Sequence, residues 1–186
     1  MKLFSEKGVA SVSVRDIANA CGIGESALYR HMCSKEELAG RIFKRAYLDF
    51  AHQLRAAELQ TPCPKGAIAA YVRVILSAYD ENPDLVLFLL SGQQDILART
   101  ISRGDVTPLK VVRQTIMDGM GKGVFAGNDP DLVTAMVFGA TLQPLTFVRY
   151  GRLPAPAKDL APEIFENLMK MLCPIQGLPS QEGDTQ

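Results

Sequence analysis

At five places along the chain, a residue whose side-chain oxygen can accept a backbone amide proton stands just ahead of a run with helical spacing. At three of these a proline follows at once: Asn82-Pro83, Thr107-Pro108 and Asp129-Pro130. Proline fits the first helical position because its missing N–H would have had no partner there and its φ is already helical. The other two places, Ser13-Val14-Arg15-Asp16 and Ser34-Lys35-Glu36-Glu37, have the spacing of a capping box, in which hydroxyl and carboxylate each take up an orphan amide. The runs that follow keep the same period. Leu38, Ile42, Ala46, Phe50 and Leu54 recur every four residues and predict one face of a long helix ending before Thr61-Pro62-Cys63-Pro64. Ile68, Tyr71, Val72, Ile75, Leu76 and Tyr79 predict another. Leu160, Ile164, Leu168 and Leu172 predict a last one from about 159 to 173, and Pro144 is expected to kink the helix opened by Pro130. No run alternates as a half-buried strand does, so the fold class is all-α.

Composition removes several alternatives. With 186 residues, 47% of them apolar, and 20 Lys plus Arg against 20 Asp plus Glu, the chain can bury a core and is neither disordered nor a basic tail. Residues 1–50 carry 8 basic and 6 acidic side chains, net +2, and the rest carry 12 and 14, net −2. That split permits a nucleic-acid face at the front of the chain. Cys21, Cys33, Cys63 and Cys173 form no C-x-x-C pair and no ligand spacing with His31 or His52. Free thiols, no metal and a cytoplasmic location are expected, as is the absence of export, since the first residues hold no apolar signal core. Residues 132–148 lack charge but are short for a bilayer span, which predicts a buried helix and no membrane partner. Gly119-Met120-Gly121-Lys122-Gly123 lacks the spacing of a phosphate loop and reads as a helix end. No nucleophile elbow or metal-pair motif occurs, so no enzyme activity and no cofactor are expected.

Residues 13–38 carry the functional signal. Two short helical patterns, residues 13–21 and 25–32, flank Gly22-Ile23-Gly24, a helix-turn-helix arrangement. Ile17, Ala18 and Cys21 are expected to form the inner face, with Ile23 and Leu28 burying the junction. Glu25, Ser26, Ala27, Tyr29 and Arg30 remain as a surface narrow enough to enter a major groove. Tyr29 and His31 can donate to phosphate oxygens, and Lys35 stands at a helix start that already favours an anion. A helical hairpin used only for packing would explain Ile17, Ala18 and Leu28 but not these outward polar side chains.

At these residues the chain resembles the DNA-binding domain of the tetracycline-repressor (TetR) family of transcriptional regulators. The family pattern appears as Ser13-Val14, Ile17-Ala18, Cys21-Gly22-Ile23, Leu28-Tyr29-Arg30-His31-Met32 and Lys35-Glu36-Glu37-Leu38, with Leu3-Phe4 and Gly8 similar to the end of the family's first helix. Gly24 departs from it where Ser or Thr usually caps the second helix, and Met32 replaces an aromatic residue. The chain enters the pattern inside the first helix, which is expected to span one or two turns.

The resemblance implies a DNA-binding domain over residues 1–45, a ligand-binding and dimerisation domain over 46–174, and a loose tail over 175–186. It implies a contact set for double-stranded DNA of Ser13, Gly24, Glu25, Ser26, Ala27, Tyr29, Arg30, His31 and Lys35. A small, mainly apolar effector would meet Tyr71, Tyr79, Phe88, Met117, Met120, Phe138, Gln143 and Phe147. A homodimer would form through Leu132, Ala135, Met136, Gly139, Leu142, Ile164, Leu168 and Leu172, matching a palindromic operator whose half-sites lie roughly 34 Å apart. The function so implied is that of a repressor released by its effector. The alternative is a helical small-molecule-binding or interaction protein that has lost DNA affinity.

Overall fold

The computed structural model describes residues 2–29, 34–61, 63–91 and 96–173. Among them every regular element is helical, as the periodicity predicts. The order is α1 (Lys2–Ser11), α2 (Val14–Cys21), α3 (Glu25–Tyr29), α4 (Lys35–Leu59), α5 (Pro64–Glu81), α6 (Pro83–Ser91), α7 (Leu97–Thr100), α8 (Pro108–Gly121), α9 (Pro130–Arg149) and α10 (Ala161–Leu172). A 3-10 turn over Ala157–Leu160 leads into α10. At its start, the Asp80 carboxylate accepts from the amides of Ala157 (2.7 Å) and Lys158 (2.9 Å).

The caps act as their chemistry requires. Asn82 Oδ1 accepts from Leu85 N at 3.1 Å, Thr107 Oγ1 from Lys110 N at 3.3 Å, and Asp129 Oδ1 from Asp131 N at 2.8 Å, each opening a proline-led helix. Ser34 Oγ accepts from Glu37 N at 3.0 Å, while the Glu37 carboxylate pairs forward with Arg41. Helix α1 spans 10 residues, nearly three turns, longer than the one or two expected. Helix α9 continues through Pro144.

Two clusters of buried side chains share α4 and α6. The front one joins Phe4 and Val12 to Ile17 and Ala18 of α2, Ala39, Phe43 and Tyr47 of α4, and Phe88 and Leu89 of α6. The rear one is built on α5, whose Ile68, Tyr71, Val72, Ile75, Leu76 and Tyr79 are all buried, with α8, α9 and α10 around them. On α4 the buried stripe is Ala39, Gly40, Phe43, Tyr47, Ala51 and Leu54. Of the expected stripe, Leu54 is buried, while Leu38, Ile42, Ala46 and Phe50 lie one residue round the helix and are only half-buried. Packing on two sides, against α6 and α7 in front and α5 and α8 behind, turns the helix by that step.

Small residues mark the closest approaches. A Cβ on Gly40 would sit 2.9 Å from Thr100 Cγ2, and one on Gly119 would sit 2.2 Å from the Phe125 ring. Gly119, in the last turn of α8, is thus a seat for Phe125 rather than part of a phosphate loop. Behind it, Tyr71 Oη lies 2.7 Å from Thr115 Oγ1, which lies 2.9 Å from Glu58 Oε1. Because Thr115 has one hydroxyl proton and the carboxylate can only accept, Tyr71 donates to Thr115 and Thr115 to Glu58. Burial pushes the Tyr71 phenol above its ordinary value, and the nearby Glu58 charge adds to the shift.

Candidate functional site

The reading head is set by α2. Ser13 Oγ accepts from Asp16 N at 3.1 Å, and the Asp16 carboxylate accepts from Ser13 N at 2.9 Å and from Ser13 Oγ at 2.7 Å. These bonds hold the Asp16 carboxyl below its usual range. The Ser13 hydroxyl proton is therefore committed to Asp16, which makes Ser13 a cap before it is a phosphate contact. Gly22 closes α2 at φ 65°, ψ 29°, and its amide and that of Ile23 return to the last carbonyls of the helix. Only glycine adopts this left-handed backbone without a Cβ penalty. The chain then re-enters a helix within three residues, with Ala27 N bonded to Gly24 O at 3.0 Å.

The turn leaves Gly24, Glu25 and Ser26 exposed and Ala27 half-exposed at the front of α3. Ile17 and Ala18 form the inner face as expected. Cys21 is exposed, and Ile23, expected to bury the junction, is 42% exposed, so Ile17 and Ala18 anchor α2 without them. The side chains of Leu28 and Tyr29, and residues Arg30 and His31, lie outside the described residues. Lys35, expected at a phosphate, donates its Nζ proton to the Val12 carbonyl at 2.9 Å, tying the start of α4 to the turn between α1 and α2. Its remaining charge lies 3.8 Å from Glu36.

Behind the head, α4, α6, α8 and α9 enclose an apolar chamber of about 70 Å³. Tyr47 and Phe50 come from α4, Val86, Leu89 and Leu90 from α6, Pro108 and Leu109 from the start of α8, and Phe138 and Leu142 from α9. Tyr47 and Leu109 also line a second, more open chamber of about 450 Å³, where Thr107, Lys110, Arg113, Asp131 and Thr134 form a polar collar. The collar is internally bonded. Arg113 meets Asp131 at 2.7 and 3.2 Å, which raises the guanidinium's pKa and lowers the carboxyl's. Lys110 Nζ donates to the carbonyls of Arg103 and Asp105, the latter at 2.8 Å, and Asp105 pairs with Lys44 of α4 at 2.9 Å. Tyr47 differs. It is 3% exposed, and its hydroxyl is the one buried side-chain polar atom without a hydrogen-bond partner among the described residues. Burial pushes its phenol up to about 12.

Residues 1–42 match the model of the bacterial regulatory proteins of the tetR family. The regulator UidR of Escherichia coli K12 is 27% identical over 168 residues, covering 87% of this chain and 80% of its own. The repressor KstR2 of Mycobacterium tuberculosis H37Rv is 42% identical over 48 residues, 26% of this chain and 24% of its own. The crystal structure of the TetR-family regulator PfmR from Thermus thermophilus superposes with a TM-score of 0.73 at 27% identity, covering 91% of this chain and 93% of that one. Residues 1–42 thus carry the N-terminal domain of the tetR family of bacterial regulatory proteins.

The residues expected at an effector or a partner lie in several places in the fold. Phe138 lines the inner chamber, and so does Leu142, expected at a partner. Tyr71 and Tyr79 are core, Tyr71 with its hydroxyl already bonded. Phe88 belongs to the front cluster, stacked on Phe4 with centroids 5.8 Å apart. Met120 is half-buried beside the rear core, while Met117, Gln143 and Phe147 face outward. Leu168 and Leu172, expected to face a second copy, are 1% and 3% exposed inside their own core, and Ile164 is half-buried. The outward face of α9 instead carries Leu132, Met136, Gly139, Gln143 and Phe147, with Ala135 beside it and Tyr150 just past the helix end. This is the one described helix long and apolar enough to cross a membrane, and 28% of its apolar window is buried. Among the described residues no group of three or more His, Cys, Asp or Glu side chains converges to hold a metal ion.

Proposed function

We propose that this regulator works as a homodimer that reads a palindromic operator in duplex DNA through α3, represses there, and is released when a small, mainly apolar molecule fills the chamber behind α4. The exposure of Glu25 and Ser26 at the front of a helix carried beyond the Gly22 turn carries the DNA-binding half of this reading. Polar side chains at the first turn of such a helix are the ones that reach base edges. The domain limits at 45 and 174 belong to this proposal. The first falls inside α4, which makes that helix the natural link between chamber and head.

The outward face of α9 supports pairing. Leu132 is 59% exposed, Met136 43%, Phe147 47% and Tyr150 74%, a longer apolar ridge than isolated surface residues make. A twofold partner covers such a ridge with its own. Pairing also serves affinity: a front region with net +2 neutralises few phosphates by itself, and two heads double that term. A cytoplasmic site of action follows from the DNA target.

The test is binding of the full chain to the DNA upstream of its own gene as salt is raised. A steep linear rise of log Kd against log salt supports the proposal, and no binding at low salt points to a protein that kept the fold without the DNA affinity. Sedimentation checks the pairing: Leu132→Lys with Met136→Lys yields a folded monomer. A dimer that survives both changes removes the α9 ridge from the interface.

A further inference from the structure

The inner chamber combines apolar walls with one donor that has nothing to bond. No charged side chain lines it. Tyr47 lines both chambers, and its hydroxyl is buried and unpartnered among the described residues. An unsatisfied buried polar group costs free energy that folding alone does not return, so a bound partner is the physical use for it. The ring itself is held, stacked on Phe43 with centroids 5.3 Å apart, so the hydroxyl cannot swing to water without leaving the core.

The chemistry of a matching group is restricted. A carboxylate would have to shed its hydration among Phe50, Leu89, Phe138 and Leu142 with no cation beside it, and the collar cations Lys110 and Arg113 are already bonded to carbonyls and to Asp131. An alcohol would accept from Tyr47 but bring a proton of its own that these walls cannot accept. A carbonyl accepts and brings none. The volumes add a shape: about 70 Å³ inside holds only a slender apolar end, and about 450 Å³ outside holds a bulkier remainder.

Building on the effector reading above, we infer that the effector is a neutral apolar molecule with a slender end in the inner chamber, and that Tyr47 selects it by donating its phenolic proton to a carbonyl oxygen at the boundary between the chambers. Burial keeps that phenol protonated above neutral pH, so it is a donor there. Tyr47 is a specificity-determining residue whose contribution vanishes for a ligand without the acceptor.

The experiment uses the full chain and two probes of one shape, 2-heptanone and 2-methyl-1-heptene, each displacing the neutral fluorophore N-phenyl-1-naphthylamine. Tyr47→Phe is expected to weaken the ketone about tenfold and to leave the alkene unchanged, since a neutral hydrogen bond together with its unpaired donor has about this size. Without any probe, Tyr47→Phe is expected to melt about 2–4 °C above the parent, because it removes an unpaired buried hydroxyl. Equal changes for both probes, or a lower melting temperature of the free variant, overturn the role of Tyr47 while leaving the chamber as the effector site. Failure of either probe to bind, or binding unaffected by Leu142→Trp, which fills the inner chamber, overturns the chamber reading and this inference with it.

Discussion

Phe43 and Tyr47, one turn apart on α4, stack with ring centroids 5.3 Å apart and join the front cluster to the chamber wall. Phe43 also meets Phe88 edge-on at 6.0 Å, and Phe88 stacks on Phe4 of α1, so four aromatic rings run from the chamber to the first helix. Phe43→Ala removes the middle of this run at a fully buried position and is expected to cost about 3–5 kcal/mol. Urea unfolding measures it, and a loss below about 1 kcal/mol would show the front cluster closing over the gap.

Lys35 separates two roles by their salt dependence. As a strut to the Val12 carbonyl, it steadies the turn before α2. Lys35→Met is then expected to lower the melting temperature and weaken all DNA sequences alike, with the slope of log Kd against log salt unchanged. A direct phosphate contact would instead flatten that slope by about 0.9.

Alkaline titration reports the burial of Tyr47. Its native pKa of about 12 lies above the ordinary 10.0, so the unfolded chain releases this proton first. The contribution to stability is whole below pH 10 and lost as pH rises through about 12. Tyrosinate absorbance should show one late component fewer in Tyr47→Phe. Disappearance of an early component instead would place the ring in water.

Much of this was legible in the sequence, for a physical reason. Caps and first-turn prolines act within four residues, so Ser13, Asn82, Thr107 and Asp129 announced their helices correctly, and the Gly22 turn needs only its own backbone angle. The chamber depends on which way α4 turns among five neighbouring helices. A regular spacing of Leu38, Ile42, Ala46 and Phe50 pointed to the adjacent face, and Tyr47 was missed because a tyrosine between Ala46 and Leu48 breaks no pattern. The alternate set Ala39, Phe43, Tyr47 and Ala51 was equally periodic and, with Leu54 of the first set, marks the true face. Leu168 and Leu172 show the same limit, since apolar spacing cannot tell a chain's own core from a partner's surface.

Thr115 tests the rear core. Thr115→Val keeps the shape but leaves Tyr71 Oη and a Glu58 oxygen without their shared partner. A loss of about 1–3 kcal/mol in urea unfolding is expected. An unchanged midpoint would mean that water or Arg55, 3.0 Å from the other Glu58 oxygen, takes over.

Gly119 tests close packing. Its Cβ would fall 2.2 Å from the buried ring of Phe125, so Gly119→Ala is expected to destabilise by about 1–3 kcal/mol despite the better helix propensity of alanine. Thermal unfolding decides, and a rise in melting temperature would show that Phe125 moves aside.

Helix α4 runs unbroken from Lys35 to Leu59, with Tyr47 at its midpoint. From that pivot to Lys35 is roughly 18 Å of rigid rod, so a tilt of roughly five degrees sweeps the far tip through roughly 1.6 Å. Any rotation of α4 about that point thus arrives, at its far end, at the carbonyl of Val12 that Lys35 holds. The geometry works as a lever with its fulcrum inside the cavity.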